Sequence, residues 1–247
     1  MRREEKHHII WENDEAQVNI PYSAAGVGTT IVLTSKFTGK VMLLDVGDGA
    51  LRDLLSFTHS TEFVNEIDLI ALSHGHFDHI GGLHSLLGFM RMLRRKTPLN
   101  LIIPKGSKES IGIIKGFREY YHDTLPFEIR YHEMVQGSGF DTDFFKIKSY
   151  EVEHYSLENS SPEEDEVLEP ALGYRIHVGN TIIAYTGDTR YCSGVELIVD
   201  DADLAIIEAT LKEKSKFQRH VHLAKGEAEQ LGQRAKEYVL IHQIPDM

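Results

Sequence analysis

Six consecutive residues carry the clearest chemical signature in this chain of 247 residues: His74-Gly75-His76-Phe77-Asp78-His79. They follow an apolar run at 67–73 that reads as a buried strand. In extended backbone, residues two apart project to one side, so His74 and His76 can address a single metal ion. A turn beyond them presents Asp78 and His79 to a neighbouring point, and Gly81-Gly82 lets the backbone turn closely before a helix begins. Three imidazoles and one carboxylate suit a borderline-soft divalent cation such as zinc. Four fixed positions of this kind would coincide by chance in about 0.003 chains of this length.

The elements that must position this segment are legible as short apolar runs alternating with amphipathic stretches. Strands are expected at 30–34, 41–45, 67–73, 99–103, 174–178, 182–185, 204–207 and 239–241, with strand-like character from 127 to 153. Helices are expected at 50–57, 83–95, 107–121 and 227–236. The acidic stretch 158–169, with Glu163-Glu164-Asp165-Glu166, reads as a solvated loop. No composition break marks a linker, so residues 1–247 are expected to form one domain. The element pattern is α/β, two sheets packed together with helices outside.

Composition limits the chemistry further. One cysteine, Cys192, rules out an internal disulfide, a thiolate zinc cluster or an iron–sulfur site. The net charge of −12 argues against a protein that coats nucleic acid or an anionic membrane through bulk charge. No run approaches the length of a membrane span, and no apolar leader follows Met1-Arg2-Arg3, so a cytoplasmic location is expected. Fourteen histidines are many, and histidine is the commonest metal-binding side chain.

The segment His74–His79 resembles the His-x-His-x-Asp-His signature of the metallo-β-lactamase-fold hydrolases, and further elements of that family follow in order. Asp45, in Leu43-Leu44-Asp45-Val46-Gly47-Asp48-Gly49, is similar to the aspartate that braces the metal loop. His154, Asp188 in Tyr185-Thr186-Gly187-Asp188-Thr189, and His242 each come after an expected strand. The resemblance covers about 28–242. It implies an αββα sandwich, two mixed β-sheets packed together with helices on both outer faces. It also implies two zinc ions, with manganese or iron admissible. One would sit on His74, His76 and His154, the other on Asp78, His79 and His242, with Asp188 between them. Asp78 would also orient the attacking water or take up its proton.

Two more segments are similar to the ribonuclease Z branch: Ile207-Glu208-Ala209-Thr210 and His222-Leu223-Ala224. There a histidine paired with a glutamate protonates the leaving oxygen, which implies a catalytic role for His222 with Glu208. Other features depart from that branch. Phe77 stands where glycine is usual, Val221 replaces the glycine before His222, and the glycine-rich signature is reduced to Ala24-Ala25-Gly26-Val27-Gly28. His154 to Asp188 spans 34 positions, too few for a tRNA-gripping arm, and no C-terminal helix is expected after His242.

The expected activity is therefore a dinuclear zinc phosphodiesterase of the ribonuclease Z kind. The expected substrate is a small-molecule or short nucleotide phosphodiester; a long nucleic acid is open but disfavoured, no membrane partner is expected, and a homodimer is compatible. Two alternatives stand beside it: a zinc hydrolase of a carboxylic ester, lactone, thioester or β-lactam, and a metal-stabilised binding or sensor protein. Two basic clusters, Arg91/Arg94/Arg95/Lys96 and Lys212/Lys214/Lys216/Arg219, read as surface charge; the second could hold a phosphate if it borders the metals, and Tyr22, Phe77 and Tyr155 could line a pocket.

Overall fold

Runs of apolar residues that are covered on both faces read as continuous rather than alternating, and here such runs build the centre of both sheets. The computed structural model describes residues 9–157, 166–214 and 221–245. Its first sheet has seven strands in sequential spatial order: β1 (Ile9–Glu12), β2 (Ala16–Ala24), β3 (Gly28–Ser35), β4 (Val41–Val46), β5 (Ile67–Ala71), β6 (Leu99–Pro104) and β7 (Ile129–Met134). Pairing is antiparallel from β1 to β4 and parallel from β4 to β7. The segment 127–153 resolves into β7, β8 (Gly139–Asp141) and β9 (Lys146–Glu151). A small antiparallel pair follows, β10 (Tyr155–Leu157) with β11 (Glu166–Leu168). Part of the acidic stretch expected to be loop is thus a strand, while 158–165 lie outside the described residues. With β12 (Leu172–Val178), β13 (Thr181–Tyr185), β14 (Leu204–Glu208) and β15 (Glu237–Ile241), the second sheet runs β15-β14-β13-β12-β9-β8.

Three apolar layers hold this arrangement. Between the sheets, Leu33, Met42, Leu44 and Ile102 pack with Tyr174, Ile176, Ile183 and Ile206. The alternate residues of the first sheet, Leu43, Ile70 and Leu101 among them, face α1 (Ala50–Thr58), α4 (Leu83–Met92) and α5 (Lys108–Tyr120). Those of the second sheet, Ala184, Ala205 and Ile207, face α6 (Ser193–Val199) and α7 (Lys225–Gly232). Two short helices, α2 (Phe63–Glu66) and α3 (Phe77–Ile80), flank β5. The expected αββα sandwich of two mixed sheets is what the chain adopts. Elements β1, β2, α2, α3 and α6 had no counterpart in the sequence expectation. No helix among the described residues is long and apolar enough to cross a membrane.

The helix expected at 83–95 ends at Met92, and the reason lies in Arg95. Arg94 takes a left-handed conformation, φ +57°, which turns Arg95 inward. Its guanidinium donates to the carbonyls of Val64, Ile67, Thr97 and Pro98 and is 2% exposed. Arg91 donates to Thr124 and lies over the ring of Tyr121. Of the first basic cluster, Arg95 is therefore a buried staple and not surface charge, while Arg91 makes a surface contact.

Candidate metal centre

Each candidate side chain stands at or just beyond the carboxyl end of a strand, so the two sheets bring them to one edge of the sandwich. His74 follows β5 and His76 precedes α3, which carries Asp78 and His79; His154 follows β9. Asp188 follows β13, Glu208 ends β14 and His242 follows β15. Close approach of these loops depends on two glycines. A Cβ at Gly47 would run into the Asp78 carbonyl and the Thr29 amide. Gly187 has φ +60°, and a Cβ there would come within 2.7 Å of that of Ser73.

The expected donors converge into two groups, each with ligand atoms within 4.8 Å of one another: His74, His76 and His154, and Asp78, His79, Asp188 and His242. Nε2 of His154 lies 3.0 Å from Nδ1 of His76. Nε2 of His242 lies 3.2 Å from that of His79 and 3.1 Å from Oδ2 of Asp78. Asp188 stands between the groups, its Oδ2 at 3.3 Å from Nε2 of His79 and 3.9 Å from Nε2 of His74, its Oδ1 at 3.4 Å from Nδ1 of His242.

Behind the donors lies a layer of partners that sets the imidazoles. Asp45, fully buried at φ +56°, accepts from the amide and hydroxyl of Ser73, from Nδ1 of His79 at 2.7 Å and from the hydroxyl of Tyr185 at 2.5 Å. With Nδ1–H donated there, the neutral ring of His79 would carry its lone pair on Nε2, facing the donor group. Thr210 Oγ1 lies 2.8 Å from Nδ1 of His242 and donates to Glu208 at 2.9 Å. The brace role of Asp45 was legible in its motif. Those of Ser73, Tyr185 and Thr210 were not, because a hydroxyl gives no pattern of its own. The Gly26 amide, which donates to Asp78 at 2.8 Å, likewise leaves no side-chain signal.

Electrostatics divide the imidazoles: His74 and His154 favour the neutral form, whereas for His79 burial is outweighed by Asp188 and Asp45, which raise it well above the ordinary histidine range. Burial, with the neighbouring rings of His79 and His154, pushes His74 well below the ordinary histidine range. Burial is also the main reason that His154 falls to about 3. Burial opposes charge on Asp78, but the contact with His242, the charge of His79 and the Gly26 amide outweigh it and hold the carboxyl at about 2. Asp188 is likewise held well below its usual value, against its burial, by His79 and His242. Nε2 of His74 and Nδ1 of His154 are buried without a hydrogen-bond partner among the described residues. The orphaned Nε2 of His74, with Nε2 of His154 turned toward His76 and two buried carboxylates close by, forms a donor set that fits a divalent cation.

His222 stands beside this centre, Nδ1 at 2.9 Å from Oε1 of Glu208 and 3.8 Å from Asp188. Its ring centroid is 5.4 Å from that of His154 and 5.7 Å from that of His242. Burial disfavours its charge, but the hydrogen bond and charge of Glu208, aided by Asp188, raise it to about 8.

Among the proposed pocket aromatics, Phe77 is 61% exposed beside Asp78. Tyr155 lines a groove of about 590 Å³ with Glu153, Glu169 and Pro170. Glu169 and Pro170 also line a recess of about 40 Å³ that contains His74 and His76, so the groove adjoins the donors. In the second basic cluster, Lys214 is paired with Glu227 at 2.5 Å, and Lys216 and Arg219 lie outside the described residues.

Comparison with known proteins agrees with this fold. The chain is 26% identical to a ribonuclease Z of Thermococcus sibiricus over 85% of its own length and 79% of that protein. It is 27% identical to one of Archaeoglobus fulgidus over 73% of its length and 69% of that protein. Its fold is similar to the short form of human tRNase Z, with a TM-score of 0.73, 24% identity and 92% of both chains covered. It is also similar to the metallo-β-lactamase fold protein YhfI of Bacillus subtilis, with a TM-score of 0.70, 20% identity, 95% of this chain and 89% of that one. The family model described as the Beta-lactamase superfamily domain matches residues 42–243, and the chain belongs to that family.

Proposed function

We propose that this protein is a metal-dependent phosphodiesterase of the ribonuclease Z kind, holding two zinc ions on His74, His76, His154, Asp78, His79, Asp188 and His242. The observation that carries the phosphodiester reading is the Glu208–His222 pair beside the donor groups. Manganese or iron would suit the same donors. Bound there, two divalent ions would lower the pKa of a shared water and offset charge developing on the phosphoryl oxygens.

The chain's own residues divide the remaining work. Asp78, held at about 2, keeps its charge at neutral pH, so it serves better to orient a water than to take up its proton. His222 donates Nδ1–H to Glu208, which leaves Nε2–H on the far side of the ring to protonate the departing alkoxide oxygen. Glu208 fixes that orientation, because it also accepts from the amides of Thr189, Leu223 and Thr210.

RNA is the substrate class that the relatives' name implies, and a short or small phosphodiester is the form that the −12 charge favours. The reading takes 1–247 as one hydrolase domain of the cytoplasm, where a single free cysteine is at home. The test is turnover of bis-p-nitrophenyl phosphate, cyclic nucleotides, a 3′-extended tRNA and acyl-lactones by zinc-loaded protein. Hydrolysis of a phosphodiester that falls at least about 100-fold in His222→Ala supports the reading; cleavage of lactones alone would replace it with the carboxylic-ester alternative.

A further inference from the structure

Three of the buried imidazoles have a side-chain partner on Nδ1: Asp45 for His79, Thr210 for His242 and Ser73 for His74. Partners of this kind fix the ring and tautomer of a metal-binding histidine. His154 differs. Its Nε2 faces His76 while its Nδ1 is buried with no hydrogen-bond partner among the described residues. Its ring is therefore aimed by the backbone that carries it.

We propose that Arg190 is the positioning residue for His154, gripping the residues on both sides of it at once. Nε of Arg190 donates to Oε2 of Glu153 at 2.7 Å, and Nη2 donates to the hydroxyl of Tyr155 at 2.9 Å. The guanidinium also lies over the Tyr155 ring, with Cζ 4.2 Å from its centroid. The main chains are joined as well. The Arg190 amide donates to the Glu153 carbonyl at 2.9 Å, and the Glu153 amide donates to Thr189 Oγ1 at 3.2 Å.

Arg190 lies two residues beyond Asp188, so this clamp sets the spacing between the loop of His154 and the loop of Asp188. The Thr189 amide carries the connection on to Glu208. The Glu153–Arg190 pair is partly exposed, at 43% and 32% of the side chains, so charge attraction alone contributes little. The effect is geometric. A planar fork can bond in one direction, bond in another and stack, all from one side chain, which a lysine cannot reproduce.

The inference rests on the proposed metal site, and the test separates the two. Full-length protein is stripped with chelator and titrated with zinc and with cobalt(II), in wild type, Arg190→Ala, Arg190→Lys, Tyr155→Phe and Glu153→Gln. Arg190→Ala is expected to weaken one of two ions by about 10- to 100-fold, to alter the cobalt spectrum, and to leave the other ion's affinity and the metal-free melting temperature in place. Tyr155→Phe and Glu153→Gln each produce part of that loss, and Arg190→Lys does not restore it. Unchanged affinities and an unchanged cobalt spectrum in Arg190→Ala overturn the inference. So does a loss shared by both ions together with a lowered metal-free melting temperature. Should Arg190→Ala fail to fold, unchanged affinities in both single-arm variants overturn it equally. A wild-type protein that binds no metal counts against the proposed function instead.

Discussion

His222 donates Nδ1–H to Glu208 across 2.9 Å, and Glu208 accepts that hydrogen bond as a fully buried side chain already anchored by three amides and the Thr210 hydroxyl. An acid of this type has its orientation and its proton supplied by the same bond. Removing the glutamate's charge removes both.

The first prediction concerns that proton. In metal-free protein, an NMR titration should show His222 charged through pH 7 and releasing its proton near 8. Because the folded value lies above the unfolded one, the stabilisation is complete below about 6.5 and disappears as pH rises through about 8. Its size is about 2 kcal/mol. Glu208→Gln should bring the midpoint down and flatten stability across that window; an unshifted midpoint would show that Glu208 does not hold the proton.

Asp45 accepts four hydrogen bonds in a site with no access to water. Asp45→Asn replaces one acceptor oxygen with a donor facing other donors. Denaturant unfolding should show a loss of about 3–5 kcal/mol, and metal affinity should fall about 10- to 100-fold through the unbraced ring of His79.

His76 is only half buried, and its removal leaves the apolar layers untouched. His76→Ala should abolish hydrolysis and reduce bound metal by about one ion per chain, as elemental analysis would read. Circular dichroism of the metal-free variant should match wild type. A variant that retains full activity would remove His76 from the ligand set.

Arg95 gives the opposite profile. Arg95→Ala strands the carbonyls of Val64, Ile67, Thr97 and Pro98 and should cost about 3–5 kcal/mol of stability. Metal content per folded molecule should not change. Arg95→Lys should recover little, because one ammonium cannot span four acceptors.

Chelation should lower the melting temperature, since an ion that binds only the folded chain stabilises it by mass action. At about 1,000 times the dissociation constant, each ion contributes about 4 kcal/mol. Thermal unfolding with and without a chelator reads this directly; identical melting curves would show that the donors hold no ion.

Much of this protein is written locally in its chain. The spacing of His74, His76, Asp78 and His79 is short enough to state its chemistry unaided, and the apolar runs at 41–46, 67–71 and 204–208 state strands covered on both faces. Periodicity and spacing act over a few residues, so a sequence can express them. What the sequence alone leaves open is convergence. His154, Asp188, Glu208, His222 and His242 each look ordinary, and only the meeting of two sheets at one edge brings His242 within 3.2 Å of His79, 163 positions away. The same holds for roles that depend on a neighbour from elsewhere in the chain. Arg95 reads as a surface charge until the turn at Arg94 buries it, and nothing in the sequence singles out Arg190 until the fold brings Glu153 and Tyr155 within its reach. A hydrogen bond or a ligand bond is set by distances of about 3 Å, and distances between remote residues exist only in the folded chain.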